Sequence, residues 1–300
     1  MYDKYCDFSL SLIFLFSKGY FCPLGNAKYC FAFPLINRNF VYYNNKESFM
    51  NNSVIGLIPA RYASTRFPGK PLADIGGKPM IQRVYEQASQ VLSSCYVATD
   101  DERIADAVRR FNGKVVMTAS THKSGTDRCA EALNNVELME NKKFYAVINI
   151  QGDEPFINPE QISLLASAFD NPTTEIATLV KPIDNNDDLL SPNKPKVVIS
   201  EEGNALYFSR QPIPFLRGVE LNEWLQKGNF YNHIGMYGYR SDILRKITLL
   251  PLGTLEKAES LEQLRWLENG YRIKVLQTYI ESLSVDTPDD LEALKSRGLI

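Results

Sequence analysis

Long apolar runs and paired cysteines are both missing from this sequence of 300 residues. No segment reaches the roughly 18–20 uninterrupted apolar residues of a membrane-spanning helix, so no membrane span is predicted. The five cysteines are odd in number and form no Cys-x-x-Cys pair, which argues against a zinc site and against a disulfide framework. We therefore expect a protein of the reducing cytoplasm.

Strong net charge and the two common nucleotide-binding motifs are also missing. The formal net charge is −2 at pH 7, so the sequence gives no reason to expect nucleic-acid binding. A P-loop needs a glycine where Ser64 stands and a serine or threonine where Pro71 stands. No Gly-x-Gly-x-x-Gly follows a predicted strand either, which leaves a Rossmann dinucleotide site without support.

A loop rich in cations is the most informative feature that is present. Residues 54–58 form an apolar run that predicts a buried strand, and Arg61, Arg66 and Lys70 follow among small and turn-forming residues. Small residues let backbone N–H groups approach a polyanion, and the cations neutralise its charge. Ligands of α/β proteins usually bind where strands end. The loop therefore predicts nucleoside-triphosphate binding, with a basic surface loop as the plainer alternative.

The string IGLIPARYASTRFPGKP at 55–71 closely resembles the signature loop of the 3-deoxy-manno-octulosonate (Kdo) cytidylyltransferases, which make CMP-Kdo for lipopolysaccharide. Further segments match the same family in the same order, from about residue 54 to the C-terminus. They are VATD at 97–100, SGT at 124–126, QGDEP at 151–155, ALYFSR at 205–210, HIGMYGY at 233–239, LEQLR at 261–265 and VDTPD at 285–289. Because so many segments match in one order, the resemblance is highly specific.

Strand-like and helix-like segments alternate beyond residue 53, which predicts an α/β fold with a mainly parallel sheet and helices on both faces. This is the nucleotide-diphospho-sugar transferase-like architecture that the resemblance implies. Residues 197–200 and 205–209 predict a β-hairpin, part of a small lobe at about 197–240 for sugar binding and dimer contact. Residues 185–195 are predicted to form a loop, and residues 255–268 a single helix.

Residues 1–49 differ from the remainder in composition. They hold 14 of the 34 aromatic residues but only 8 of the 68 charged ones, so we expect an N-terminal extension that does not join the fold. A misassigned start codon upstream of Met50 is one explanation, and a signal peptide or a segment packed on the enzyme are alternatives. Residues 50–300 are then the cytidylyltransferase domain.

Two aspartates are candidates for binding Mg²⁺. Asp153 follows a nearly pure aliphatic strand, and Gly152 beside it is expected to allow close ligand approach. Mg²⁺ binds through few carboxylates together with substrate phosphate oxygens. The resemblance assigns the metal to Asp153 and Asp286. An ordinary turn at Asp153 and a simple helix start at Asp286 are the alternatives.

The residues that the resemblance assigns to the nucleotide lie in two glycine-containing loops. Arg61, Arg66 and Lys70 suit the triphosphate, and Ser124, Gly125 and Thr126 are expected to contact the base or ribose of CTP. Lys70, Arg61 and Asp153 are the expected catalytic residues, with Lys70 stabilising charge in the transition state. A helix N-cap explains residues 124–126 equally well. Ala119 stands where some family members carry a basic residue, so the contacts to the base are expected to differ from those of such members.

For the sugar acid, the resemblance points to residues in the second half of the chain and at one strand end. They are Gln151, Arg210, His233, Tyr237, Glu262 and Gln263. Arg210 suits the carboxylate in a bidentate pair, and Glu262 and Gln263 suit hydroxyl groups. His233 opens an apolar strand, so a buried structural histidine is the alternative there.

The resemblance implies a Mg²⁺-dependent enzyme, a homodimer, that joins CTP and Kdo to give CMP-Kdo and pyrophosphate. A CMP-sialate synthetase is the nearest rival, and the segments from 205 to 265 favour Kdo. A CTP-binding regulatory module is a rival of another class, but Lys70, Asp153 and Asp286 would be the first groups lost without catalysis. A glycosyltransferase lacks its Asp-x-Asp triad here and would leave the Lys70 loop without a purpose.

Overall fold

Nine strands form one sheet in the computed structural model, which describes residues 53–63, 67–281, 285 and 287–296. The strands are β1 Val54–Ala60, β2 Ser94–Thr99, β3 Val115–Met117, β4 Ala146–Asn149, β5 Ile176–Pro182, β6 Lys196–Ile199, β7 Ala205–Ser209, β8 Tyr231–Arg240 and β9 Ile273–Gln277. Their main order is β3-β2-β1-β4-β8-β5-β9. The pairs among β1 to β4 are parallel, as is β5 with β9, and β8 runs antiparallel to its neighbours β4 and β5. The mainly parallel sheet is confirmed.

Helices connect most of these strands, as a parallel sheet requires. They are α1 Met80–Ser89, α2 Glu102–Arg110, α3 Gly125–Glu140, α4 Pro159–Ser167, α5 Asn186–Leu190, α6 Trp224–Lys227, α7 Ser241–Ile247, α8 Thr254–Glu259, α9 Gln263–Glu268 and α10 Pro288–Ser296. Side chains cap several of them: Asp101 accepts from Arg103 N at the start of α2, and Asn158 accepts from Glu160 N at the start of α4. In the part of the chain that the structure describes, no helix has the length and apolar character to cross a membrane.

The apolar side chains separate into clusters on the two faces of the sheet. Ile55 and Leu57 of β1 pack on one face with residues of α3, α7 and α9. Val54, Ile58 and Ala60 of the same strand pack on the other face with residues of α1, α2 and α4. Because neighbouring side chains of a strand point to opposite faces, one aliphatic strand serves both clusters. Helices therefore cover both faces, as predicted.

The predicted hairpin is present and continues the main sheet. β6 and β7 pair antiparallel, and Lys196 of β6 pairs with Asn232 of β8. An isolated bridge between Asn204 and Lys274 ties the hairpin turn to β9. The hairpin is therefore hydrogen-bonded to β8 at its open end and to the edge strand β9 at its turn.

Two element predictions are wrong. The single helix expected over 255–268 is two helices, α8 and α9, because Ser260 adopts a left-handed backbone with φ of 53° that ends α8. The loop expected over 185–195 contains the short helix α5, which Asn185 caps by accepting from Asp188 N. Asn and Asp favour turns and helix caps alike, so composition alone does not separate the two.

A bulge interrupts the pairing of β8 with β5. Tyr237 lies opposite Thr178, but Ile234 lies opposite Leu179, so Gly235 and Met236 have no counterpart in β5. Such a bulge bends the strand and redirects its backbone groups. The freed carbonyl of Gly235 accepts a hydrogen bond from Gln151 Nε2 at 2.8 Å, which brings β8 to the end of β4.

Candidate active site

A polar cavity of about 240 Å³ opens where the parallel strands end. Loops that follow β1, β3 and β4 form its walls, in the place where ligands bind to open α/β sheets. The lining residues are Pro59, Ala60, Arg61, Lys70, Pro71, His122, Lys123, Ser124, Gly125, Arg128, Gln151, Gly152 and Asp153. Six of the predicted site residues, at positions 61, 70, 124, 125, 151 and 153, are therefore brought together.

Lys70 and Asp153 form an ion pair across the cavity, with Lys70 Nζ 2.8 Å from Asp153 Oδ2. The lysine side chain is 14% exposed and that of the aspartate 31%. Gly69 precedes Lys70 with φ of 73°, the left-handed region that favours glycine, and the chain then enters a 3₁₀ turn over Lys70–Leu72. This turn aims the lysine side chain at the end of β4.

Gly152 lies where the loops after β1 and β4 meet. A Cβ atom at this position would lie 3.0 Å from the backbone oxygen of Pro59. The missing side chain therefore lets the loops after β1 and β4 pack together, and Gly152 also lines the cavity. The close contact holds Asp153 and Arg61 on adjoining walls of the same cavity.

Arg61 is exposed and lines the cavity, and its guanidinium has no hydrogen bond or ion pair with any residue that the structure describes. It is therefore available to an anionic ligand. Arg66 and Asp286 lie outside the described residues, so their predicted roles stay predictions. Val285, the residue before Asp286, donates its backbone N–H to the carbonyl oxygen of Asp153 at 2.9 Å.

The predicted nucleotide loop at 124–126 is the start of α3. Ser124 is the N-cap, accepting a hydrogen bond from Asp127 N at 3.1 Å, and the N-terminus of α3 opens into the cavity through Ser124 and Gly125. Such a terminus attracts anions through its free N–H groups and its dipole. Thr126 is only 3% exposed and donates its hydroxyl to Glu262. Its side chain therefore faces away from the cavity.

Three further basic side chains line the cavity and were not predicted as nucleotide-binding residues: His122, Lys123 and Arg128. His122 Nε2 pairs with Glu131. Arg128 is 4% exposed, lies 3.0 Å from Asp100 Oδ1 and donates to Thr118 Oγ1 at 2.6 Å. Arg128 thus ties the ends of β2 and β3 to α3. Arg128 lies four residues after Ser124, so a helix starting there puts both residues on one face. This spacing could have predicted Arg128 as a cavity residue.

Three of the predicted sugar residues, His233, Tyr237 and Glu262, lie in contact with one another or with the residues around the cavity. The rings of His233 and Tyr237 are 5.3 Å apart on one face of β8. His233 Nε2 lies 3.0 Å from Thr178 Oγ1, and burial lowers the pKa of the imidazole to about 3. The ring is therefore neutral at physiological pH. Tyr237 packs edge-on against Trp266 of α9 at 5.1 Å.

Glu262 and Gln263 stand at the N-terminus of α9. Burial raises the pKa of Glu262, and the hydroxyls of Thr126 and Ser124 and the guanidinium of Arg265 act in the opposite direction. Gln263 is 4% exposed, and its Nε2 has no hydrogen-bond partner within the described part of the chain. A buried donor of this kind costs free energy unless a water or a ligand accepts from it.

Arg210 is held by backbone oxygens. Its guanidinium donates to the carbonyls of Glu259, Pro192 and Ser260 at 2.7, 2.8 and 3.2 Å, and so fixes the turn between α8 and α9. Every nitrogen of the guanidinium has a protein partner. The structure therefore does not place Arg210 among the residues that line the cavity.

Asp153 is the carboxylate that the described residues contribute to the cavity wall. Nowhere in the described ranges do three or more His, Cys, Asp or Glu side chains form a group that could hold a metal ion by themselves. One hard oxygen ligand facing a cavity with several cations suits an ion that keeps water and substrate phosphates as its other ligands. This donor chemistry fits Mg²⁺.

Comparisons with known proteins agree with this geometry. The family model described as Cytidylyltransferase matches residues 55–274. A 3-deoxy-manno-octulosonate cytidylyltransferase of Parabacteroides distasonis is 57% identical over 242 residues, which span 79% of this chain and 95% of that protein. A second one, from Bacteroides thetaiotaomicron, is 56% identical over 251 residues, which span 81% of this chain and 99% of that protein.

A solved structure of a CMP:2-keto-3-deoxy-manno-octonic acid synthetase complexed with CTP superposes with a TM-score of 0.73 and 41% identity. It covers 82% of this chain and 98% of that chain. The fold match, the family model and the identity above 50% to named enzymes all point to one group. The chain belongs to the cytidylyltransferase family and, within it, to the 3-deoxy-manno-octulosonate cytidylyltransferases.

Proposed function

We propose that this protein transfers CMP from CTP to Kdo, giving CMP-Kdo and pyrophosphate for lipopolysaccharide biosynthesis. The observation that carries the proposal is the charge of the cavity. Arg61, Lys70 and Lys123 face Asp153 in a space that also receives the N-terminus of α3. CTP carries about four negative charges, and cations and helix N-termini are the groups that bind phosphates.

In the reaction, the anomeric hydroxyl oxygen of Kdo bonds to the α-phosphorus of CTP while the bond from that phosphorus to pyrophosphate breaks. The hydroxyl proton is released to water, and no protein nucleophile takes part. The protein contributes position and charge, as is general for phosphoryl transfer. Lys70 and Arg61 stabilise the negative charge that develops on the departing pyrophosphate, and the loop after β1 places both side chains together.

Asp153 and Asp286 are proposed to hold Mg²⁺. The cavity position of Asp153 and the hydrogen bond from Val285 to its backbone support this assignment, because residue 286 is the next link of the chain. When bound, the ion would neutralise phosphate charge and orient the triphosphate. Lys70 holds the Asp153 carboxylate in place through a 2.8 Å contact.

The sugar acid is proposed to lie between the end of β4, β8 and the start of α9. Gln151 is fixed by the Gly235 carbonyl, His233 and Tyr237 provide a neutral aromatic wall, and Glu262 and Gln263 meet the sugar hydroxyls. No residue that the structure describes accepts from Gln263 Nε2, which supports a ligand with acceptor oxygens at this place. The carboxylate of Kdo was expected to bind Arg210. In the structure the guanidinium of Arg210 donates to backbone carbonyls around the α8–α9 turn, and its role in binding Kdo stays a prediction.

A pyrophosphate-release assay with CTP, Mg²⁺ and a panel of sugar acids tests the function. Kdo should turn over, and sialic acid should have a much lower kcat/KM, since a site built for particular hydroxyls discriminates by about 10⁴ or more when their partners go unpaired. Faster turnover of sialic acid would overturn the choice of acceptor and leave cytidylyl transfer standing. CTP binding without pyrophosphate release from any acid would favour a binding module.

We also propose a cytoplasmic homodimer without nucleic-acid or membrane partners. The hairpin β6–β7 and the segment that follows it are the proposed dimer contact. Sedimentation-velocity measurement of the purified protein tests this part on its own, because a monomer at micromolar concentration would contradict it. The assembly and the chemistry are therefore separate proposals with separate experiments.

A further inference from the structure

The first turn of α3 and the start of α9 are joined by a partly buried hydrogen bond. Thr126 Oγ1 donates to Glu262 Oε2 at 2.7 Å, although the two residues are 136 positions apart. Thr126 is only 3% exposed, so its hydroxyl is not open to a dissolved nucleotide. The visible role of this hydroxyl is to hold the glutamate carboxylate.

Glu262 is held on its second oxygen as well. Arg265 donates from its guanidinium to Oε1 at 2.7 Å, and the hydroxyl of Ser124 also stabilises the ionised carboxylate. Three partners hold the carboxylate, and an ionised carboxyl offers about four lone-pair positions. Glu262 therefore keeps acceptor capacity for a hydroxyl group of a ligand.

The turn that carries Thr126 is also a wall of the nucleotide cavity. Ser124 and Gly125, the two residues before it in the chain, line that cavity, while Thr126 points to the opposite side. A ligand that orders this turn from the cavity side therefore orders the Thr126 hydroxyl on the other side. One covalent turn thus faces both predicted substrates.

We propose that Thr126 is a positioning residue that couples the two substrates, by orienting Glu262 to accept hydrogen bonds from hydroxyls of the sugar acid. This inference rests on the proposed function and deepens it. Because coupling between two sites is reciprocal, bound CTP raises the affinity for the sugar acid and bound sugar acid raises that for CTP by the same factor. Binding of CTP at the turn over residues 124–126 then changes the orientation of Glu262 at the start of α9.

The test compares Thr126→Val, which keeps the side-chain shape and removes the donor, with Thr126→Ser, which restores the donor. The KM for Kdo should rise about tenfold in Thr126→Val, as for loss of a hydrogen bond to a charged group, and Thr126→Ser should recover most of this loss. The Kd of CTP alone, from calorimetry, should change by less than about twofold because the hydroxyl does not touch the nucleotide.

Thr174→Val is the matched control, since Thr174 is 7% exposed and donates to the carbonyl of Ala168 at 2.8 Å in another part of the fold. It should leave the ratio of the two substrate constants unchanged. Should Thr126→Val fail to fold, Thr126→Ser and Thr126→Ala provide the same comparison with a smaller side chain. In a Glu262→Ala background, Thr126→Val should cause no further increase in the KM for Kdo.

An unchanged KM for Kdo in Thr126→Val, an equal loss in the Kd of CTP alone, or an added loss in the Glu262→Ala background would each overturn the inference. The wild-type assay separates this result from the proposed function. Wild-type turnover of CTP with Kdo together with a normal Thr126→Val enzyme refutes only the coupling. Failure of the wild type to turn over Kdo refutes the proposed function and the coupling with it.

Discussion

Lys70 and Asp153, 83 positions apart, join the loops after β1 and β4 through a 2.8 Å contact between the ammonium and the carboxylate. The left-handed Gly69 before the lysine and the side-chain-free Gly152 before the aspartate make this meeting possible. Both groups face the cavity. The pair therefore lies in the cavity to which the proposed function assigns the phosphates of CTP, and both members are the first targets for substitution.

Replacing Lys70 by alanine should lower kcat by about 100-fold or more, as removal of one preorganised charge-stabilising group does, while CTP binding weakens less. Steady-state kinetics of CMP transfer measures both quantities. Lys78→Ala is the control, because Lys78 pairs with Glu86 at the surface with a side chain 46% exposed, and such pairs contribute little. A normal kcat with only a raised KM for CTP would reassign Lys70 to ground-state binding.

Asp153→Asn and Asp286→Asn should each reduce turnover strongly and change the Tm little, because the proposed task of both carboxylates is to hold the ion. Metal effects on transition-state charge are worth several kcal/mol. The rate should be followed across Mg²⁺ concentrations, with Asp106→Asn on the exposed face of α2 as the matched control. A near-normal rate at ordinary Mg²⁺ would remove the substituted residue from the site.

His233 should make the protein less stable in acid. Burial lowers the pKa of its imidazole from 6.5 to about 3 in the folded protein, so between these values the unfolded chain binds a proton that the folded protein does not. The free energy of unfolding is then not reduced by His233 above pH 6.5, and it decreases as the pH falls from 6.5 toward 3. Denaturant unfolding at several pH values should show a shallower loss in His233→Gln, and an unchanged slope would contradict the assignment.

Arg128→Met should destabilise the fold by about 3 kcal/mol, because it leaves a partly buried carboxylate unpaired. The arginine side chain is 5% exposed, and that of its partner Asp100 is 22% exposed. Urea unfolding gives the free energy, with Arg109→Met as the control, since both partners of Arg109 are exposed. A loss no larger than in the control would show that the pair is not structural.

Removing residues 1–49 should leave activity largely intact, because the residues known to line the cavity begin at Pro59. The kcat/KM of the truncated enzyme against the full chain is the measurement. A truncated protein that is insoluble, or that loses most of its kcat/KM, would make the N-terminal segment part of the working enzyme. Its thermal unfolding distinguishes these two failures.

Much of the fold could be predicted because the signals were local. The aliphatic run of β1, the alternation of strands and helices, and the ends of β7 at Ala205 and Ser209 follow from side-chain pattern alone. The break between α8 and α9 could not be predicted in this way, because a serine such as Ser260 has no preference for the left-handed backbone conformation. Arg210, whose guanidinium holds that turn, stabilises the break from another element.

The site divides in the same way. Arg61 and Asp153 follow predicted strands and Lys70 lies in the loop after the first of these strands, so their meeting at one edge could be anticipated. Thr126 could not be separated from Ser124, because residues two positions apart on a helix point about 200° apart and only packing decides which one faces the cavity. Arg128 was missed as a cavity residue because its charge is balanced by Asp100, at the end of a different strand.

The bulge in β8 has a consequence for how this chain tolerates changes of length. Two residues, Gly235 and Met236, are inserted relative to β5, and an even number preserves the odd–even parity of the strand. His233 therefore still shares a face with Tyr237 and Tyr239, while Ile234 and Met236 belong to the opposite face. Deleting one of the two inserted residues would invert one half of β8, whereas deleting both would keep every side chain on its own side.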